Sequence, residues 1–199
     1  MIWTDCVKEF EDIIMRKDEF LSMIPDEYED IRDRLKQVPS IKHLDLWHDQ
    51  ISFLDEEHEF PTPAIFFEFN TLGITDNGML TQRIITQIDF HIYYETFTDT
   101  YAGAIMQEDA YNFLDLITLY GMMFHGRSGQ CFGTMRRTGI QREDSGSAGN
   151  LYRISFETEL SDYSAVELSV LTEMLNKNIA IEDAKNDNSE TNVDNLFSL

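Results

Sequence analysis

The stretch QRIITQIDFHIYYE, residues 82–95, alternates two kinds of side chain: Ile84, Thr86, Ile88, Phe90, Ile92 and Tyr94 on one side, Gln87, Asp89, His91, Tyr93 and Glu95 on the other. A period of two predicts a long strand with one face on a core and the other face elsewhere. Upstream, IKHLDLW (41–47) and PAIFFEF (63–69) show the same period, and NTLGITDNGMLT (70–81) between the strands carries the Asp76-Asn77-Gly78 turn signal, so the two long strands form a hairpin with a generous tip. Downstream, residues 129–143 and 150–160 read as two further strands joined by DSGSAG.

Helical periods flank this sheet. Val7, Phe10, Ile13, Ile14 and Phe20 or Leu21 recur at three- and four-residue steps over Trp3 to Leu21, with charged residues on the other face. PDEYEDIRDRLKQ starts a second helix at Pro25, its acidic residues first and its basic residues last, as the helix dipole favours. Pro39 closes it. Residues 105–124 return to the helical period with Ala110, Phe113, Leu114, Ile117, Tyr120 and Phe124 inward and Gln107, Glu108, Asp109 and Asp115 outward, ended by Gly126. The expected fold is α+β: a mainly antiparallel sheet packed against helices, with a helical N-terminus (1–38), a sheet with one covering helix (41–160), and a C-terminal extension (161–199). That extension reads as a short amphipathic helix through Val166, Leu168, Val170, Leu171, Met174 and Leu175, then a partly disordered acidic tail. Leu196, Phe197 and Leu199 at its end form a candidate docking tail.

Charge narrows the function. The chain has 199 residues and a formal charge of −22, which excludes the basic footprint of a protein that grips nucleic acid by its phosphates. The charge is uneven: residues 1–62 hold 17 acidic and 7 basic side chains, whereas 126–153 hold five arginines against Glu143 and Asp144. Two unlike patches on one chain suit a head-to-tail interface, with Arg136, Arg137, Arg142 and Arg153 of one copy facing Asp55, Glu56, Glu57 and Glu59 of another. No run approaches the roughly 20 apolar residues of a membrane span, and MIWTDCVKEFED lacks the order of a signal peptide, so no membrane partner is expected.

The reactive side chains form no known motif. Cys6 and Cys131 lie far apart in sequence without metal spacing and read as reduced, packed thiols. His43, His48 and His91 would meet only if the chain turned sharply at Trp47, and they read as partly exposed strand residues. Asp89, His91 and Glu95 share a strand face, an arrangement that period-two polar faces produce without chemistry. No nucleophile elbow, zinc motif or phosphate loop occurs, and the glycines at 126, 129, 133, 139, 146 and 149 read as bulge and turn positions. No catalytic, cofactor or metal residue is assigned.

Taken in order, LWHDQ (46–50), FPTPAIFFEF (60–69), QIDFHIYYE (87–95), LDLITLYG (114–121), MRRTGIQRED (135–144) and LYRISFETEL (151–160) resemble the tail terminator (tail completion) proteins of bacteriophages and related neck rings, over Ile41 to Leu160. The resemblance implies a structural virion protein without catalytic residues or cofactor. It would be one of six copies in a ring, or of twelve, joining the head-side connector and portal-side proteins to the tail. It would be assembled in the host cytoplasm, with DNA passing through without specific binding. The longer N-terminal helices and the extension after Ser161 depart from that pattern. The alternatives are an interaction module unrelated to phage and a metal-dependent hydrolase.

Overall fold

Alternating period-two and helical segments set the order of elements. The computed structural model describes residues 2–53, 60–95, 101–105, 107–144 and 149–194, with side chains described except at 53 and from 181 onward. The chain runs α1 (Ile2–Met15), α2 (Lys17–Ser22), α3 (Glu29–Lys36, preceded by a 3-10 turn at Asp26–Tyr28), β1 (His43–Leu46), β2 (Ala64–Asp76), β3 (Gln82–Tyr94), α4 (Gln107–Phe124), β4 (Arg136–Glu143), β5 (Asn150–Asp162) and α5 (Ser164–Asp194). One five-stranded sheet has the order β1-β2-β3-β5-β4. It is mostly antiparallel: β4 and β5 pair antiparallel, while β1 lies parallel to β2. The α+β class is therefore the observed one.

The chain divides into two units, residues 1–75 with 83–161, and residues 76–82 with 162–199. The first contains the core. Cys6, Phe10, Ile13 and Ile14 of α1 and Phe113, Leu116, Tyr120 and Phe124 of α4 bury one face of the sheet, meeting Ile65 and Phe67 of β2, Ile88, Phe90 and Ile92 of β3, and Ile154, Phe156 and Leu160 of β5. Every second strand residue faces these helices, as the pleat requires. Phe10 is the hub: its ring centroid lies 5.6 Å from Phe90, 5.7 Å from Phe67, 5.8 Å from Phe124 and 5.1 Å from Phe132. Such tilted and edge-on aromatic pairs add to what area burial alone contributes.

Several local expectations need correction. The first helix is interrupted at Arg16, and Lys17 is buried there, its Nζ donating to the Val38 carbonyl at 2.5 Å. Desolvation holds its ammonium below the usual lysine range. On α4 Phe113, Ile117, Tyr120 and Phe124 are buried as expected, but Leu114 is exposed and Asp115 is buried. Asp115 is turned inward because Arg34 of α3 clasps it with two parallel bonds, Nε to Oδ2 at 2.5 Å and Nη2 to Oδ1 at 2.7 Å, while Leu116, Leu119 and Met123 fill the core. The hairpin tip is tighter than expected, spanning 77–81, because the alternation of Leu72 and Ile74 carries β2 on to Asp76. Within that tip, Asn77 N donates to the Thr81 carbonyl at 2.9 Å and Gly78 takes φ +130°.

The strand expected from residue 129 begins only at Arg136. Residues 129–131 are instead tied to α1 by the Glu9 carboxylate, which accepts from Gln130 N at 2.8 Å and Cys131 N at 3.0 Å. Gly126 caps α4 at φ +79°, and the register of β4 slips between Arg137 and Gly139, a bulge of the kind anticipated for these glycines. In the second unit, Asp162 Oδ1 accepts from Ser164 N at 2.9 Å and Ser164 Oγ at 2.6 Å at the start of α5. These bonds hold the Asp162 carboxyl below its usual range. α5 continues past the short segment expected, to Asp194, and residues 164–194 contain no glycine or proline to end it.

Phe10→Ala should cost about 3 to 5 kcal/mol of unfolding free energy, read from denaturant midpoints, because it empties the centre of the aromatic cluster. A loss under about 1 kcal/mol would show that α1 does not share the core of the sheet.

Candidate functional site

The face of the sheet away from α1 and α4 was expected to carry partly exposed histidines. It is covered at its centre instead. Ile51, Ala64, Phe66, Tyr93 and Leu151 form a second buried cluster there, with Trp47 and Phe60 against it. The covering comes from the turn after β1: Gln50 Nε2 donates to the Leu46 carbonyl at 2.6 Å, and Trp47 N donates to Phe67 O at 2.9 Å, folding residues 47–53 back over β2 and β3.

Beside this cluster lies a row of polar side chains, all on one face by the period of the pleat: Glu68 of β2, Asp89 and His91 of β3, Glu143 of β4 and Arg153 of β5. His91 is 2% exposed and its ring lies flat on Trp47, centroids 4.0 Å apart and planes 5° from parallel. Its Nδ1 is 2.9 Å from Glu143 Oε2 and its Nε2 is 3.0 Å from Glu68 Oε2. A neutral imidazole has one N–H and one lone pair, so making both bonds requires a doubly protonated ring or a proton on one carboxyl.

Asp89, fully buried, accepts from Gln87 Nε2 at 2.8 Å and Asn70 Nδ2 at 3.3 Å, with Arg153 Nη1 at 3.8 Å. Arg153 Nη2 also donates to Gln141 Oε1 at 3.1 Å. Its Nε sits 3.1 Å from Glu143 Oε1 without the alignment of a hydrogen bond, so that contact is an ion pair only.

This row closes into a clamp across four strands. The two carboxylates on His91 sit at opposite edges of its ring, so they cannot converge on one ion, and among the described residues no group of three His, Cys, Asp or Glu side chains is placed to hold a metal. Both ring nitrogens are engaged and Trp47 covers one ring face, which leaves no lone pair aimed at a substrate. The adjoining cleft, about 290 Å³ and lined by Trp47, Asp49, Glu68, His91, Glu143 and Arg153 among others, lies at the lower end of the ligand-pocket range. His43 and His48 do not join: His43 stacks on Phe60, and His48 Nδ1 lies 3.1 Å from the Leu46 carbonyl. Glu95 ends the strand outside the network.

No protein-family model matches this chain, and no curated protein matches it.

The arginines expected at an interface fall into three situations. Arg153 is spent inside the clamp. Arg136 pairs with Glu157 of its own chain at 3.1 Å. Arg137 lies over α4, its guanidinium occupying the space where a Cβ on Gly121 would be, and Arg142 is exposed; neither makes an ion pair among the described residues. Asp55, Glu56, Glu57 and Glu59, and Leu196, Phe197 and Leu199, lie outside the described residues. The two cysteines, 125 positions apart, meet: Cys6 Sγ donates to the Cys131 carbonyl at 3.7 Å, and burial pushes the Cys6 thiol up to about 12. No spacing signal announces that contact or the burial of His91.

A double-mutant cycle between His91→Gln and Glu143→Gln should give a coupling on the order of 1 kcal/mol in unfolding free energy. Strict additivity would mean that the carboxylate is paired with water rather than with the ring.

Proposed function

We propose that this chain is a ring-forming structural subunit of the neck or tail of a bacteriophage, resembling tail terminators, with DNA passing through the ring. The observation that carries the reading is the order of the sheet. β4, with Arg136, Arg137 and Arg142, forms one edge, and β1, with Asp45 and then Asp49, forms the opposite edge. Opposite edges of unlike charge are what a head-to-tail contact between copies uses, and such a contact closes into a ring when the rotation allows.

The segment that follows β1 in sequence carries Asp55, Glu56, Glu57 and Glu59, the acidic residues of the expected contact. The ordered resemblance from Ile41 to Leu160 supports the same reading. So does a histidine whose two nitrogens are both bound within the chain, which fits a braced structural face better than a catalytic one. A charge of −22 on every copy would give the ring a wall that repels DNA, felt to about 8 Å at physiological ionic strength.

Arg137 and Arg142, unpaired within their own chain among the described residues, are the sharper targets on β4. Arg137→Glu with Arg142→Glu should lower the ring fraction in sedimentation velocity by roughly tenfold at low salt, and by less near 1 M salt, where screening shortens to about 3 Å. Unchanged assembly at low salt would assign these arginines to a solvated edge.

A further inference from the structure

Helix α5 has no single apolar face. At 3.6 residues per turn, Leu168, Leu171, Leu175 and Ile179 fall within a stripe about 80° wide, and Val166, Val170 and Met174 form a second stripe of similar width, with the two centres about 140° apart. Both stripes are open to water: of the seven apolar residues from Val166 to Ile179, six are 46 to 67% exposed and Val166 is half-buried. Side chains of this size leave on the order of 600 Å² of apolar surface, shared between the two stripes.

A helix with one stripe pairs with one partner. A helix with two stripes this far apart contacts two, as in a closed bundle of like helices, where the angle between a helix's two contacts is about 120° for six members and about 150° for twelve. Each contact between neighbours buries one stripe from either copy, on the order of 600 Å² together, about half of the roughly 1,200 Å² of a specific interface, so α5 adds to the contact at the sheet edges rather than replacing it. A second copy of the chain meets the two-contact condition, because it brings the complementary stripe with it. Lys177 lies on the second stripe, and its stem can run along the neighbour's apolar side chains while its ammonium stays in water.

We infer that α5 is a subunit seam, in which Leu168, Leu171, Leu175 and Ile179 of one copy pack against Val166, Val170 and Met174 of the next. The inference rests on the ring reading above and names one of its seams. It places α5 in a collar of like helices, held by apolar contact and so resistant to salt, unlike the arginine edge.

Cysteine pairing on the full-length chain tests it. Val170→Cys with Leu171→Cys in one chain should give, under mild oxidation, a covalent ladder reaching the full ring, while each single variant gives no more multimer than the unmodified chain with its native Cys6 and Cys131. Leu171→Cys alone giving dimers would show a self-paired helix and overturn the inference. A ring seen by native mass spectrometry with no ladder from the double variant would overturn the seam and leave the ring reading standing, whereas absence of any ring would remove both. As a second measurement, Leu171→Asp with Leu175→Asp should lower the ring fraction at least tenfold at high and low salt alike, and an unchanged fraction would also overturn the seam.

Discussion

Phe10 and Phe90 meet at 5.6 Å across the interface of helix and sheet, and the rest of the first unit is arranged around that contact. Because β3 turns Phe90 toward α1, its neighbours Asp89 and His91 must point to the other face. That face could remain dry only if their charges and hydrogen-bonding groups found partners. Glu68 and Asn70 of β2, Arg153 of β5, Glu143 of β4 one strand further out, and Gln87 of β3 itself supply them. The apolar side and the polar side are thus two consequences of one strand register, and a slip of one residue would put Phe90 among carboxylates.

In the ring proposed above, the clamp would matter for assembly because it reaches the edge strand. β4 pairs only with β5 and is exposed along most of its length, a condition that invites fraying or unwanted strand pairing. Glu143 near its end is held by His91 and Arg153, and the bulge at Arg137 to Gly139 breaks the flat edge. An edge fixed in this way can present Arg142 and Arg137 at a constant position. In the proposed ring, the same arginines that blunt strand pairing would supply a charge for a partner to read.

Much of this could be read from residue order. Pro25 precedes the 3-10 turn that leads into α3 at Glu29, Gly126 follows the end of α4, Asp76-Asn77-Gly78 marks the hairpin, and the alternation from Ile84 to Tyr94 yields both the strand and its core face. What escaped has a common cause. The burial of His91 depends on Trp47, which arrives from an irregular turn that leaves no periodic trace. Asp115 is drawn inward by Arg34, 81 positions away, and Cys6 meets Cys131 across 125. Arg153 looked like surface charge because its partners lie on two other strands, Asp89 on β3 and Gln141 and Glu143 on β4. Periodicity reports which residues share a face; it carries no record of what is laid over that face from elsewhere in the chain.

The central claim is that unlike surfaces on one chain close copies of it into a ring. Native mass spectrometry of the full-length protein at near-physiological ionic strength tests it most directly. The account predicts one dominant closed species of six copies, or of twelve, with no progressive series of larger forms. A monomer at every concentration and in the presence of head-side and tail-side neck proteins would contradict it.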